Sequence, residues 1–243
     1  MILMANAMMG AAGYQAAAGG EWWLAGGAID PGNVVAVYEP ATAATFLDSL
    51  ENIVDPGVLT LGYEPGFEPA IGPEGWFFDP SIANPLTLPL TLSGELSIYC
   101  KAQMTGDNGT SDMYVLGLFN NYHGRYLAFN CRDHHSTYGW ERTTAALGGA
   151  PGVVMFNHYT YDKSFVLTRS SVSGQSRCYC EDVMAERAAS SDPRNFLIGS
   201  AWGRFKDDHY SAGLVGHIKE VAVFNVELSA LQVAELKDAR DLI

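Results

Sequence analysis

The residues best suited to bind a ligand are aromatic side chains that fall in predicted loops. Sugar rings stack on exposed aromatic faces, while neighbouring amides and carboxylates bond the sugar hydroxyls. Trp202 and Tyr210 are the strongest candidates, because they bracket a loop of glycine and acidic residues at 203–208. Trp140 and Tyr138 form a second pair. The same residues could instead fill the core or a subunit contact, since aromatic side chains dominate both.

A second group of residues has the chemistry of a calcium site. Hard cations take several oxygen ligands from carboxylates, amides and carbonyls. Asp107, Asn108 and Asp112 supply such oxygens between two predicted strands. Asp207 and Asp208 offer a second choice. These residue types also form ordinary solvated turns, so we expect no cofactor, with Ca²⁺ at the first loop as the alternative.

The acidic residues lack the spacing that glycoside hydrolysis requires. Retaining enzymes need two carboxylates about 5–5.5 Å apart, which on one strand means acids at alternating positions. Glu181 and Asp182 are adjacent and would face opposite sides of a strand. Glu220 is flanked in its own register by the apolar residues Ile218 and Ala222. A G-x-S-x-G motif is also absent from the sequence. We therefore expect no catalytic residues and no enzymatic activity.

The net charge of the chain argues against two classes of partner, nucleic acids and anionic membranes. The chain has 243 residues, with 14 Lys and Arg against 27 Asp and Glu, giving a net charge of −13. An acidic surface repels phosphate backbones and anionic lipid headgroups. The sequence also lacks the run of about 18 apolar residues that a membrane helix needs. We expect neither nucleic-acid binding nor membrane insertion.

The cysteines fit neither a zinc site nor a redox motif. They are Cys100, Cys131, Cys178 and Cys180, and none forms a C-x-x-C pair. We expect all four to be reduced thiols, with a Cys100–Cys131 disulfide as the main alternative.

The elements that must position these residues are mostly strands. From Glu21 onward, short apolar runs alternate with turn residues, which is typical of a β-sandwich or barrel. The predicted strands include 96–102, 113–119, 125–131, 152–156, 164–169, 176–184, 196–199 and 215–226. The second and third of these predict a hairpin.

Only the C-terminal segment predicts a helix. Ser229 and Gln232 have the spacing of a capping box. Val233, Leu236 and Arg240 then share one helical face. We expect this short amphipathic helix to pack on the strand that precedes it.

The first 20 residues differ from the rest of the chain. They carry no charge and contain four of the eight methionines. They also lack the basic start of a signal peptide. Such a segment is either a frayed terminus or an arm that docks on a neighbouring subunit, where Met fills irregular gaps. We favour the arm, and so predict a flexible or assembly arm over 1–20 and one domain over 21–243.

Three motifs resemble those of laminin-G-like, concanavalin A-like domains. Residues 213–229 match the closing pattern of that family: a glycine, an I-D-E-V strand, an aromatic residue, and L-S opening a helix. Lys219 stands where the family usually has Asp. Residues 75–79 and 96–102 resemble two earlier strands, in the family's order. The resemblance implies an all-β, two-sheet antiparallel jelly-roll sandwich whose loops can bind carbohydrate and sometimes one Ca²⁺.

Residues 22–30 and 33–40 resemble the lead-in to such domains in tailed-phage virion proteins. We therefore predict a non-enzymatic structural or surface-displayed virion protein, of the capsid decoration or fibre type. It would be made in the host cytoplasm, contact other virion proteins or itself through the 1–20 arm, and bind host-surface glycans through its loops. The alternative is a free-standing carbohydrate-binding lectin domain.

Overall fold

Two antiparallel sheets, built from short strands that the turn residues separate, face each other across a common core. The computed structural model describes residues 21–79, 85–92, 94–105, 113–120, 124–132, 142–147, 153–156, 162–180, 183–188, 192–199 and 214–241. The strands, in chain order, are β1 (Val34–Tyr38), β2 (Ala70–Gly72), β3 (Gly75–Phe78), β4 (Leu86–Leu92), β5 (Leu96–Met104), β6 (Met113–Asn120), β7 (Gly124–Arg132), β8 (Arg142–Leu147), β9 (Val153–Phe156), β10 (Asp162–Ser170), β11 (Gln175–Cys180), β12 (Val183–Ala188), β13 (Asp192–Ile198) and β14 (Gly216–Phe224).

The first sheet has the order β12-β11-β10-β5-β14-β3-β2. Strand β1 pairs with residues 221–224 of β14, and β3 pairs with residues 216–218 of the same strand. The second sheet has the order β4-β13-β6-β7-β8-β9. The predicted β6–β7 hairpin is confirmed. So is the predicted antiparallel two-sheet sandwich with a short C-terminal helix.

The core lies between the two sheets and follows the period of two along each strand. On β5, the side chains of Leu96, Ile98 and Cys100 point into this core. Trp76 and Tyr38 are its largest buried side chains. The indole Nε1 of Trp76 donates to the Ser49 hydroxyl at 2.7 Å, so the polar atom of this buried ring is satisfied.

Two of the cysteines lie in this core as buried thiols. They are Cys100 and Cys178. Because Cys100 is a thiol, the alternative Cys100–Cys131 disulfide does not form. The prediction of reduced cysteines is confirmed for these two residues.

The outer face of the first sheet is partly covered by both ends of the described chain. A 3-10 segment (Trp22–Gly27) and helix α2 (Ala230–Asp241) pack there on Tyr99 and Ala222. Val233 and Leu236 of α2 are buried in this second cluster. The predicted packing of the helix on the sandwich is therefore confirmed.

Helix α2 begins at the predicted capping box. The side-chain oxygen of Gln232 accepts from the Ser229 backbone N–H at 3.0 Å. The Ser229 hydroxyl accepts in return from the Gln232 N–H at 3.3 Å. These reciprocal bonds satisfy donors that a helix start leaves open.

The single strand predicted over 176–184 is wrong, because this segment is a hairpin. Strands β11 and β12 pair antiparallel, with Cys180 opposite Val183. Strands β4 and β8 were not predicted, nor was the four-residue helix α1 (Phe46–Ser49), which Thr45 caps by accepting from the Asp48 N–H. Neither α-helix in the described part of the chain is long and apolar enough to cross a membrane.

A β-bulge in β14 changes which residues face the core. Ile218 lies opposite Ala102, but Glu220 lies opposite Lys101, so one residue of β14 is extra. Ile218 and Val221 consequently both face the core. The prediction that Glu220 shares a register with Ile218 is wrong, because the bulge turns Glu220 to the outer face.

Candidate functional site

The part of the outer face that lies away from Tyr99 and Ala222 carries three half-buried side chains on adjacent strands. Gln103 of β5 lies opposite His217 of β14, and His217 lies opposite Phe77 of β3. Directly opposed side chains of this kind have Cβ atoms about 4.5–5.5 Å apart. We call these three residues the His217 row.

The strand pattern explains why these side chains point outward. In β3, Trp76 faces the core, so the next residue, Phe77, must face the opposite side. In β14, Ile218 faces the core, so the preceding residue, His217, faces out beside it. The rings of Phe77 and His217 have centroids 5.0 Å apart and planes tilted by 49°.

A glycine fixes the contact between β3 and β14 at this point. Gly75 has a φ of +90°, and a Cβ at this position would meet the Ile218 carbonyl oxygen at 2.2 Å. Only glycine allows that conformation and such a close approach of the two backbones. The two aromatic members of the row are therefore held by backbone that tolerates little change.

The imidazole of His217 has an unused polar atom. Its Nδ1 is buried and has no hydrogen-bond partner among the described residues. Burial lowers the pKa of His217, outweighing the nearby Glu74 carboxylate, so the ring is neutral at pH 7. A neutral imidazole offers one donor and one acceptor. A buried polar atom without a partner indicates a position where a ligand or water would be stabilised.

An ion pair borders the row. Lys219 Nζ lies 2.6 Å from Glu74 Oε2, and the Glu74 side chain is 51% exposed. The bond from Lys219 lowers the pKa of Glu74, so this carboxylate stays charged in mildly acidic solution. The pair places a strong donor and a strong acceptor beside the Phe77–His217 rings.

A buried polar network separates the row from the covered half of the sheet. Glu220 accepts a hydrogen bond from Tyr99 Oη at 3.1 Å and from Arg240 of helix α2. The Arg240 guanidinium lies 5.0 Å from the Trp22 ring centroid. Burial and the Glu220 charge raise the pKa of Tyr99 well above its ordinary value, so its hydroxyl remains a donor. This network holds the C-terminal helix on the sheet, and every named partner is satisfied.

The site residues predicted from the sequence lie elsewhere in the chain. Trp202, Tyr210, Trp140 and Tyr138 all lie outside the described residues, as do the calcium candidates Asp107, Asn108 and Asp112. Those assignments stay predictions. Within the described ranges, no three His, Cys, Asp or Glu side chains lie close enough to hold a metal ion.

The His217 row was not predicted, because its residues lie on strands and the predicted binding residues lie in predicted loops. The signal in the sequence that could have found these residues is the alternation of core-facing and outward-facing positions along each strand. Phe77 follows a core tryptophan in β3, and His217 precedes a core isoleucine in β14. Phe77 and His217 meet only because of the register between β3 and β14, and neither segment alone predicts that register.

No model of a known protein family matches the sequence, and no curated protein matches it. Several solved structures are similar in fold. One is Trypanosoma rangeli sialidase in complex with sialic acid, with 13% identity and a TM-score of 0.63 over 87% of this chain and 33% of that chain. Another is domain 4 of AbnA, a GH43 extracellular arabinanase from Geobacillus stearothermophilus, in complex with arabinotriose. It has 14% identity and a TM-score of 0.53, over 84% of this chain and 98% of that chain.

These likenesses show a shared β-sandwich fold. The chain spans about a third of the length of the sialidases that it matches. At the level of the fold, the resemblance to concanavalin A-like sandwiches is supported. The resemblance to tailed-phage proteins stays a prediction.

The prediction that this chain is not an enzyme is contradicted by these neighbours, since the sialidases among them are enzymes. Two acids that alternate on one strand are one arrangement of catalytic carboxylates, but catalytic groups also meet from different elements of a fold. The spacing of acids on one strand therefore does not decide the question.

Proposed function

We propose that this protein binds a carbohydrate and that the sugar lies on the His217 row. The observation that carries the proposal is the buried, unpartnered Nδ1 of His217 beside the half-buried ring of Phe77. The arabinotriose complex of a similar sandwich, matched over 98% of its length, supports the same class of ligand.

The row has the chemistry that a sugar requires. The Phe77 ring offers an apolar face to the C–H groups of a pyranose or furanose ring. The neutral imidazole of His217 and the amide of Gln103 both donate and accept, which matches hydroxyl groups that also do both. Because paired strands hold all three residues, little ordering entropy is lost on binding.

Phe77→Ala and His217→Ala test the site. We expect each variant to bind the responsive sugar about five- to tenfold more weakly, because a lost ring contact or hydrogen bond costs about 1–1.5 kcal/mol. The measurement is isothermal titration against a panel that includes arabinotriose and sialic acid, preceded by a glycan array.

Val172→Ala is the matched control. Val172 is 91% exposed and follows the end of β10 that lies farthest from the row. It should bind as the wild type does, and all variants should keep the wild-type melting temperature within a few degrees. Unchanged binding by both row variants would move the sugar to another surface, and binding to no sugar on the array would remove the proposal.

We also propose a finer role, that of a surface-displayed phage virion protein of the capsid decoration or fibre type. The lead-in residues at 22–30 and 33–40 and the uncharged first 20 residues support it. In this proposal, residues 1–20, which lie outside the described part, attach the domain to other virion proteins or to a second copy. The row then meets a host-surface glycan.

Deleting residues 1–20 separates this role from that of a free-standing lectin domain. An apolar, uncharged arm becomes ordered only where a partner buries it, since ordering costs about 1–2 kcal/mol per residue. We expect the deletion to leave the melting temperature unchanged while abolishing oligomerisation or co-purification with the particle. Sedimentation of both forms measures this, and unchanged assembly would favour the lectin domain.

A further inference from the structure

One segment of the molecule carries most of the exposed large apolar side chains. Residues 46–67 connect β1 to β2 and contain six of the nine such side chains found in the described residues. They are 38–58% exposed: Leu47, Ile53, Val54, Val58, Tyr63 and Phe67. Scattered apolar residues are normal on a surface, whereas exposed apolar side chains gathered into one patch are typical of interaction sites.

The 46–67 segment is folded back on itself. The Leu61 N–H donates to the Leu50 carbonyl at 3.0 Å. The rings of Phe46 and Tyr63 meet edge to face, with centroids 5.1 Å apart. The Glu51 carboxylate accepts from the Gly57 N–H and the Thr60 hydroxyl, each at 3.1 Å, which closes the tip. The two arms of the segment therefore lie side by side.

A buried asparagine anchors the segment to the sandwich. Asn52 Oδ1 accepts from the Val37 N–H at 3.0 Å, and Asn52 Nδ2 donates to the Val35 carbonyl at 3.0 Å. The Ile53 N–H donates to the Val37 carbonyl at 3.0 Å. These bonds fix the segment along β1, so its apolar side chains are presented without a large ordering cost on binding.

The charges of the segment select the kind of partner. It contains Asp48, Glu51, Asp55 and Glu64, and no Lys or Arg. A second copy of this chain, with its net charge of −13, would bring like charges together. Anionic lipid headgroups would be repelled for the same reason. Four of the six exposed side chains are aliphatic and offer no ring face to a sugar.

We propose that the 46–67 segment is a docking surface for a partner protein that presents apolar side chains ringed by Lys and Arg. The apolar contacts supply the affinity, and the acidic residues supply the orientation and a fast, salt-sensitive association. The proposal does not depend on the His217 row, which lies on different elements.

A designed peptide can stand in for such a partner. The probe is an 18-residue amphipathic helix of Leu and Lys, and its counterpart has Glu in place of every Lys. We expect the Leu/Lys peptide to bind the full chain at least tenfold more tightly than the Leu/Glu peptide, measured by fluorescence anisotropy. We also expect its affinity to fall as salt rises.

Two variants separate docking at this segment from general attraction to an acidic protein. Ile53→Ser combined with Val58→Ser removes exposed apolar surface without changing the charge, and we expect it to weaken the peptide at least tenfold. Val172→Ser makes the same kind of change at a remote exposed position and should have no effect. Thermal unfolding checks that both variants remain folded.

Three results would overturn the proposal. One is that the Leu/Lys and Leu/Glu peptides bind equally well, or that neither peptide binds. Another is equal binding by the Ile53→Ser/Val58→Ser and Val172→Ser variants. The third is sedimentation showing that the wild-type chain self-associates and that the double variant does not, because a second copy would then be the occupant.

Discussion

At the scale of single residues, His217 is held neutral by its surroundings rather than by a partner. Burial disfavours the imidazolium, and Lys219 adds to this effect, while Glu74 opposes both. The folded state therefore binds a proton less readily than the unfolded chain does. This difference in proton binding determines whether the free energy of unfolding rises or falls with pH.

His217 should make the fold less stable in mild acid. Because its pKa is lowered on folding, the unfolded chain takes up more protons just below pH 6.5, and stability falls as pH decreases through that window. We expect the loss between pH 7.5 and pH 5 to be larger for the wild type than for His217→Gln, measured by urea unfolding. Equal losses in the two proteins would mean that His217 is not desolvated.

The groups that face His217 are Phe77 and Gln103 on the two neighbouring strands and the Glu74–Lys219 pair at the border. Glu74 does not titrate between pH 5 and 7.5, because the hydrogen bond from Lys219 lowers the pKa of this carboxylate, which ordinarily lies below that range already. The comparison with His217→Gln therefore isolates the imidazole. Sugar binding through Nδ1 as an acceptor should weaken over the same acidic window.

At the scale of elements, one face of the short helix α2 attaches this helix to the first sheet. Its apolar residues pack on the outer face of the first sheet, and its Arg240 reaches the buried Glu220 carboxylate. The bulge in β14 makes this possible, since without it Glu220 would face the core.

Truncating each of the two leucines of α2 should change the free energy of unfolding by very different amounts. Leu236 is fully buried and Leu231 is 69% exposed. We expect Leu236→Ala to lower the free energy of unfolding by about 2–5 kcal/mol, through lost contacts and a cavity. Leu231→Ala, the same change on the same helix, should cost less than about 0.5 kcal/mol. Chemical denaturation measures both, and similar values would show that α2 is not docked in solution.

The sequence predicts elements such as α2 well because their signals are local. The capping box spans four residues, and the alternation in β5 spans seven. Helix α1 was missed because four residues carry no recognisable period. The sequence predicts one strand over 176–184 because only two residues separate the paired Cys180 and Val183, too few to interrupt the strand pattern.

At the scale of the whole molecule, the features that could not be predicted are those that depend on how strands distant in the sequence pair. Alternation and turn residues predict a β-sandwich or barrel, the resemblance to concanavalin A-like domains implies the two-sheet sandwich, and the two-sheet sandwich is confirmed. The His217 row could not be predicted, because Phe77 and His217 are 140 positions apart and meet only through the pairing of β3 with β14. The outward turn of Glu220 depends on a bulge, which no pattern in β14 reveals.

The two proposed surfaces also differ in how they are supported. The His217 row lies on the backbone of three paired strands. The 46–67 segment is held by a few backbone bonds together with the side chains of Asn52 and Glu51, which bond to backbone and hydroxyl groups. A ligand that needs fixed geometry suits the first, and a broad apolar contact that tolerates small adjustments suits the second.

The contact between Trp22 and Arg240 has a topological consequence. The guanidinium lies 5.0 Å from the indole centroid, so the described chain enters and leaves the sandwich at one place. A unit with adjacent entry and exit points can be spliced into a surface loop of a host protein without stretching that loop. The same geometry permits a circularly permuted form in which a short linker joins these two points, leaving both sheets and the His217 row unchanged.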